Sequence, residues 1–395
     1  MKNDILFMFK LISSVVLGEE YPKAPDDINW ENILKVSLSH NISNIIGYGI
    51  VNAKYDVSPE IKKQFEKKIF ERLTVSTNQN NELQKVLKIF EEKNIAYMPL
   101  KGIILQDLYP EKDMRTMADA DILIKSTQYD EARAVLADLG YDFVSESNHE
   151  FNYIKKPYMH IELHKYLIPS YNDDLYQYFG DGWKRAKLCD ESLSRYELSS
   201  EDNFIYLVAH FAKHYRDSGI GIKSVIDLWV YLKSYPDMDM DFIYSELEKL
   251  NLKTFFENLE ELLKGWFSNG EMNEITSMMT VFIINSTTFG TVKNQMSSKA
   301  IRENKHIEDA GKFKYLKSIF PNSEKMKQIF PILNKFEFLL PFFWVFRVIR
   351  LVLFRRDKIK KHKQNVENIN VNTILEYDRH MKLVGIDIHN GRETK

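Results

Sequence analysis

The chain has 395 residues, 44% hydrophobic and 28% charged, with 54 lysines and arginines against 56 aspartates and glutamates. That length suits two or three domains with substantial cores, and the near balance of charge carries no information about partners. The single cysteine, Cys189, excludes an internal disulfide and a cysteine-based zinc cluster, and it suits a reducing compartment, with cytoplasm as the expected location.

The first twenty residues contain a short apolar stretch, but Asp4 precedes it, Lys10 interrupts it and no small-residue cleavage site follows, so they read as a helix. Residues 1–80 form the first expected unit. Apolar side chains recur there at helical spacing, in Ile33, Leu34, Val36 and Leu38 and again in Ile61, Phe65, Ile69 and Phe70.

Residues 81–190 change texture, alternating helical stretches with short β-branched or aromatic runs. Asn81 to Lys93 reads as a helix, Ala96 to Leu100 as a strand, and Gly102 as the turn into a helix over Ile103 to Tyr109. A strand over Ala118 to Lys125 follows, then a helix capped by Ser126 or Thr127 and closed at Gly140. Tyr141 to Ser145, Glu150 to Lys155 and Tyr158 to Leu167 read as further strands, the last two joined at Lys156-Pro157 and so antiparallel.

Residues 191–395 return to helix, starting at Ser199 or Ser200 with Glu201 or Asp202 in a capping role. Phe336 to Phe354 is apolar and aromatic, but Arg347 and Arg350 lie inside it and Pro341 breaks it, which argues against a membrane span. Between Arg347 and Lys363 eight lysines and arginines face one acid, Asp357, making 336–363 a basic amphipathic segment. Three readings compete for it: a core helix with a solvated basic end, peripheral contact with an anionic membrane through 340–363, and binding of a nucleic-acid acceptor such as tRNA. The tail after Asn365 is polar and has the composition of partial disorder.

The chemistry centres on Leu100 to Leu123. In a strand, residues two apart share a face, so Asp119 and Asp121 offer oxygen donors to one point, as hard divalent cations require. His160, Glu162 and His164 likewise share a face, and Glu162 on a neighbouring strand completes a three-carboxylate metal site. Lys101 and Gly102 offer a charge and a bare backbone to a phosphate, and Arg115 offers a further cation. His210 and His214 stand four apart with Lys213 between them, without the adjacent glutamate of zinc hydrolases. The reading favoured for this helix is a cleft-facing one, in which Lys213 or His214 touches nucleotide or acceptor and Asp227 helps to orient it.

These blocks resemble the poorly characterised bacterial nucleotidyltransferases of the DNA polymerase β-like superfamily. The resemblance rests on Trp30, Leu34 and His40, then Lys101, Gly102, Tyr109, Arg115, Asp119 and Asp121, then Ile161 to Lys165. It continues in His210, Lys213, His214, Asp227, Leu228 and Trp229, and in Leu340, Pro341, Trp344 and Arg347. It departs at the phosphate loop, where Leu-Lys-Gly replaces the usual glycine-rich pair, and at Glu162, where aspartate is usual.

The resemblance implies an α+β fold, a small mixed-sheet nucleotidyltransferase core flanked by N- and C-terminal helical domains. It implies Mg²⁺ or Mn²⁺ on Asp119, Asp121 and Glu162, with Glu162 as third ligand or base. An NTP would be held by Lys101, Gly102, Arg115, His164, Lys213 and His214 and would supply a nucleoside monophosphate to an unidentified small molecule, modified peptide or RNA. Two alternatives stand beside it: a phosphoryl or sugar-phosphate transferase acting on a peptide or glycan, and an inactive binding module or toxin-like partner.

Overall fold

The computed structural model describes residues 3–170, 172–288, 290–303, 323, 326–327, 330–354 and 371–388. Four helices open it: α1 (Asn3–Leu17), α2 (Trp30–Ser39), α3 (Ser43–Ala53) and the 34-residue α4 (Pro59–Glu92). Ser58 starts α4 by accepting a hydrogen bond from the Ile61 amide, with Pro59 at the first helical position. The two helices expected around Ile61 and Asn81 are thus one. The polar stretch between them is held by tertiary contacts, since the buried Gln79 donates to the carbonyls of Met117 and Tyr158 at 3.4 and 3.1 Å.

The middle of the chain builds a five-stranded sheet from β1 (Tyr97–Pro99), β2 (Ala120–Ile124), β3 (Asp142–Glu146), β4 (Glu150–Lys155) and β5 (Met159–His164), in the order β1-β2-β5-β4-β3. Only β2 and β5 run parallel, and the expected β4–β5 hairpin is antiparallel. The short α5 (Gly102–Leu105) follows β1, and α6 (Tyr129–Asp138) connects β2 to β3. A single 3₁₀ turn, Ser126–Gln128, precedes α6, so neither Ser126 nor Thr127 caps it. Gln128 occupies the cap position, and its side chain serves the start of β1 instead, accepting from the Ala96 amide at 2.8 Å and donating to the Asn94 carbonyl at 3.0 Å.

Alternation along the central strands sends their two faces to two cores. Ala120, Ile122, Ile124, Ile161 and Leu163 pack with Leu83, Val86 and Phe90 of α4 and with Ala132, Val135 and Leu136 of α6. The opposite face contributes Met98, Leu100 and Leu123 to a larger core. There α1–α3 meet α8 (Ser200–Asp217), α9 (Ile222–Ser234), α10 (Met240–Lys249), α11 (Lys253–Phe267) and α12 (Glu274–Ser286). Phe9 stacks on Trp266 with ring centroids 3.8 Å apart, joining α1 to α11. Between β5 and α8 lie α7 (Asp173–Phe179) and the two-residue strands β6 (Lys187–Leu188) and β7 (Tyr196–Glu197). The α8 start is as expected: Ser199 accepts from the Asp202 amide.

Two residues of the opening block prove to be framework. Trp30 is buried, and His40 donates from Nε2 to the Ile284 carbonyl at 3.0 Å and accepts at Nδ1 from the Ile222 amide at 3.2 Å. Burial lowers the His40 pKa to about 4, so the ring that ties α2 to α9 and α12 is neutral.

After α13 (Val292–Glu303), the described residues include two 3₁₀ turns, Pro331–Asn334 and Glu337–Leu339, and then α14 (Leu340–Phe354). In its first half Phe342, Val345 and Phe346 are exposed, so that part does not bury as the core-helix reading of Phe342 to Phe354 expects. The basic stretch after Phe354 lies outside the described residues. The polar tail is not wholly irregular either. Residues Val371–Leu383 form α15, and Ile374, Tyr377 and Met381, at helical spacing, are buried with Val384, Ile386 and Ile388 in the larger core. Among the described residues no helix is long and apolar enough to cross a membrane. The α+β class, a mixed sheet with helical flanks, is as the sequence implied.

Candidate active site

The parallel pairing of β2 with β5 sets Asp121 directly beside Glu162, with Ala120 opposite Ile161 and Leu123 opposite His164. Since Asp121 and Glu162 both point away from the α4–α6 core, they emerge on the face that meets the larger helical body. Asp119 lies one residue before β2. Ligand atoms of Asp119, His160 and Glu162 fall within 4.8 Å of one another, as do those of Asp121, Glu162 and His164, so Glu162 is common to both groups.

The electrostatics of these carboxylates are unequal. Burial raises the Asp119 pKa, and the neighbouring charges of Asp121 and Glu162 raise it further. Asp121 is also buried, but the Lys101 ammonium and the His164 hydrogen bond outweigh that and hold it well below the usual carboxylate range. Lys101 Nζ donates to Asp121 Oδ1 at 2.7 Å, and His164 Nε2 donates to the same oxygen at 2.7 Å. A lysine ammonium therefore sits against Asp121 where a divalent ion would also bind. Oxygen donors that repel one another and already attract a cation fit a hard divalent metal.

Lys101 reaches Asp121 from the turn between β1 and α5, where its φ is 46°. A non-glycine residue there stores backbone strain of about 1–3 kcal/mol, which the surrounding contacts must offset. Gly102 packs closely: a Cβ on it would lie 3.1 Å from Met117 Cγ, so Met117 would have to shift by a few tenths of an ångström, and 3.5 Å from Arg115 Nη1. Arg115 turns inward. Its Nε donates to Asp227 Oδ1 at 2.6 Å and its Nη1 to the Thr116 carbonyl at 2.6 Å, while the Tyr109 hydroxyl donates to the same Asp227 oxygen at 2.8 Å. Asp227 thus partners the strand-entry loop.

Helix α8 covers the carboxylate face. Tyr206, His210, Lys213 and His214 recur at spacings of three and four, and the Lys101 charge acts on all four of them. His210 and His214 approach with Nε2 atoms 3.1 Å apart. Burial holds both below the ordinary imidazole range, assisted by Lys101 and Lys213, so both are neutral near pH 7. Lys213 has no hydrogen bond or ion pair among the described residues, and burial together with Lys101 lowers its pKa to about 8.

The sequence reading overlooked His149, whose Nε2 lies 3.0 Å from His164 Nδ1, and its neighbour Glu150. Counting pairs outward from the Lys156-Pro157 turn places Glu150 opposite His164, so the hairpin contained that signal. Of the residues singled out in the sequence, Asp119, Asp121, Glu162 and His164 lie close together, Lys101 is bonded to Asp121, and the Lys101 charge acts on Lys213 and His214, whereas Gly102 packs on Met117 and Arg115 pairs with Asp227.

Residues 26–268 match the model of a family described as uncharacterised nucleotidyltransferase. No curated protein matches the chain, and no solved structure does.

Proposed function

The chain belongs to this family of uncharacterised nucleotidyltransferases, and we propose that it transfers a nucleoside monophosphate from an NTP to an acceptor hydroxyl or phosphate. The observation that carries this reading is the register of β2 against β5, which sets Glu162 beside Asp121 and within ligand distance of Asp119. Asp119, Asp121 and Glu162 would hold Mg²⁺ or Mn²⁺. When bound, such an ion neutralises phosphate charge and lowers the pKa of the attacking hydroxyl.

The side chains divide the remaining work. In transfer, an acceptor oxygen forms a bond to the α-phosphorus, a hydroxyl acceptor giving up its proton to water, while the bond to the β-phosphate oxygen breaks and pyrophosphate leaves. Lys213, a buried ammonium without an ion pair among the described residues, binds the departing phosphates, and Lys101 joins it when it leaves Asp121. His164 holds the Asp121 carboxylate in orientation through its Nε2 hydrogen bond. Neutral His214 and His210 offer a hydrogen-bonding wall without adding positive charge. Arg115 acts at one remove by fixing the loop that carries Asp119 into β2.

Thermal unfolding with Mg²⁺ and each NTP in turn tests the proposal. At least one pair is expected to raise the melting temperature, by roughly 2.7 kcal/mol of stabilisation at a hundredfold excess over Kd. No shift with any NTP, with either Mg²⁺ or Mn²⁺, would count against nucleotide chemistry and for an inactive binding module.

Lys213 adds a pH dependence whose sign is fixed. The side chain is charged below about 8 and neutral above it, and only the charged form attracts phosphate. NTP affinity should therefore fall as pH rises through about 8 in the wild type, while Lys213→Met binds more weakly at pH 7 and shows a flatter profile. Equal profiles for the two proteins would remove Lys213 from the phosphate site.

A further inference from the structure

We propose that His149, Glu150 and His164 form a second metal site, one that takes a zinc-class divalent transition-metal ion and is distinct from the carboxylate site on the other side of the His164 ring. The inference concerns metal chemistry alone and stands whether or not the chain transfers nucleotides.

The three donors converge from one hairpin. Glu150 and His164 are cross-strand partners in the β4–β5 ladder, and the Lys165 amide donates to the His149 carbonyl at 2.8 Å, fixing the residue just before β4. His149 Nε2 lies 3.0 Å from His164 Nδ1 and 3.9 Å from Glu150 Oε2, and ligand atoms of all three fall within 4.8 Å of one another. Two ligands about 2.0–2.2 Å from a tetrahedral ion stand roughly 3.3–3.6 Å apart, so the observed spacings need only small adjustments.

The orientation of His164 supports the same site. Its Nε2–H is committed to Asp121, which leaves Nδ1 directed at His149. A carboxylate behind a ligating histidine, holding its tautomer and ring plane, is the usual support for an imidazole on a metal. Here it also makes Asp121 answer to both sites: an ion on Nδ1 would stiffen the ring that positions this carboxylate.

His149 has no evident structural employment that would explain its position. Among the described residues its Nδ1 is buried without a hydrogen-bond partner, and its Nε2 meets His164 Nδ1, so a single proton lies between those two nitrogens. A metal ion in place of the proton between them accounts for the approach of His149 Nε2 to His164 Nδ1. Two imidazoles and one carboxylate favour zinc, cobalt or nickel over magnesium, and three protein ligands leave a position open to water or to a ligand oxygen.

The test uses the full chain stripped with chelator and titrated with Co²⁺ alone, followed by its visible ligand-field absorption, with zinc competition and equilibrium dialysis for stoichiometry. The wild type should show a nitrogen-ligated cobalt band saturating at one equivalent and displaced by Zn²⁺ but not by excess Mg²⁺. Asp119→Asn should retain the band. His149→Ala and Glu150→Gln should bind at least tenfold more weakly, with unchanged circular dichroism establishing that they remain folded. Absence of the band in the wild type overturns the proposal. So does an equal band in folded His149→Ala, or a band lost in Asp119→Asn but kept in His149→Ala, which would assign cobalt to the carboxylate site.

Discussion

Asp121→Asn is expected to lower nucleotidyl transfer by about 10³-fold or more, the loss associated with removing a charged group that stabilises developing phosphoryl charge. Asp121 sits at the centre of the site, accepting from Lys101 and His164 on one oxygen and standing beside Glu162 in the sheet. The amide has nearly the same shape, but it removes the negative charge that both Lys101 and a divalent ion need. It also leaves the Lys101 ammonium partly buried without its counter-charge, so some loss of stability should accompany the loss of rate.

Asp119→Asn separates the two effects. Asp119 is less buried than Asp121, and burial and its carboxylate neighbours raise its pKa, so removing its charge relieves repulsion. Its rate should fall comparably while its unfolding midpoint stays level or rises. Single-turnover measurements of both variants, with urea unfolding as control, decide the matter: turnover near wild type in either would exclude the carboxylate mechanism.

The second large effect is on stability. Arg115→Ala, or Asp227→Ala, is expected to cost about 3–5 kcal/mol, because each leaves one member of a buried ion pair uncompensated. The pair is tight, with Nε to Oδ1 at 2.6 Å and both side chains under a tenth exposed. Tyr109 donates to the same aspartate, and Arg115 also holds the Thr116 carbonyl, so one interaction joins α9 to the loop entering β2. Arg115→Lys should recover only part of the loss, since an ammonium on a flexible stem does not reproduce the two directed bonds. The double variant should be less damaged than the sum of the singles. A urea midpoint shifted by less than about 1 kcal/mol in both single variants, at constant slope, would contradict this account.

These two sites also show how far the sequence could be read. Alternation in β5 assigned His160, Glu162 and His164 to one face, and the alternation of Asp119 and Asp121 did the same for β2. The Lys156-Pro157 turn supplied the β4–β5 hairpin, and Ser199 the start of α8. Arg115 was the instructive case. As a cation four residues from Asp119 it looked like a phosphate ligand, yet its partner lies 112 residues away on α9. In the tail, the spacing of Ile374, Tyr377 and Met381 was present but was outweighed by polar composition.

By itself, then, the sequence determined most strands of the central sheet, the start of α8 and which polar residues share a face, because backbone geometry imposes periods of two and 3.6 on any chain locally. Only the tertiary structure decided which faces meet. The parallel register of Asp121 with Glu162, the inward turn of Arg115, the cover that α8 lays over the carboxylates and the approach of His149 to His164 all join elements through burial and pairing. Those contacts depend on how distant segments exclude water together, and no local period encodes that.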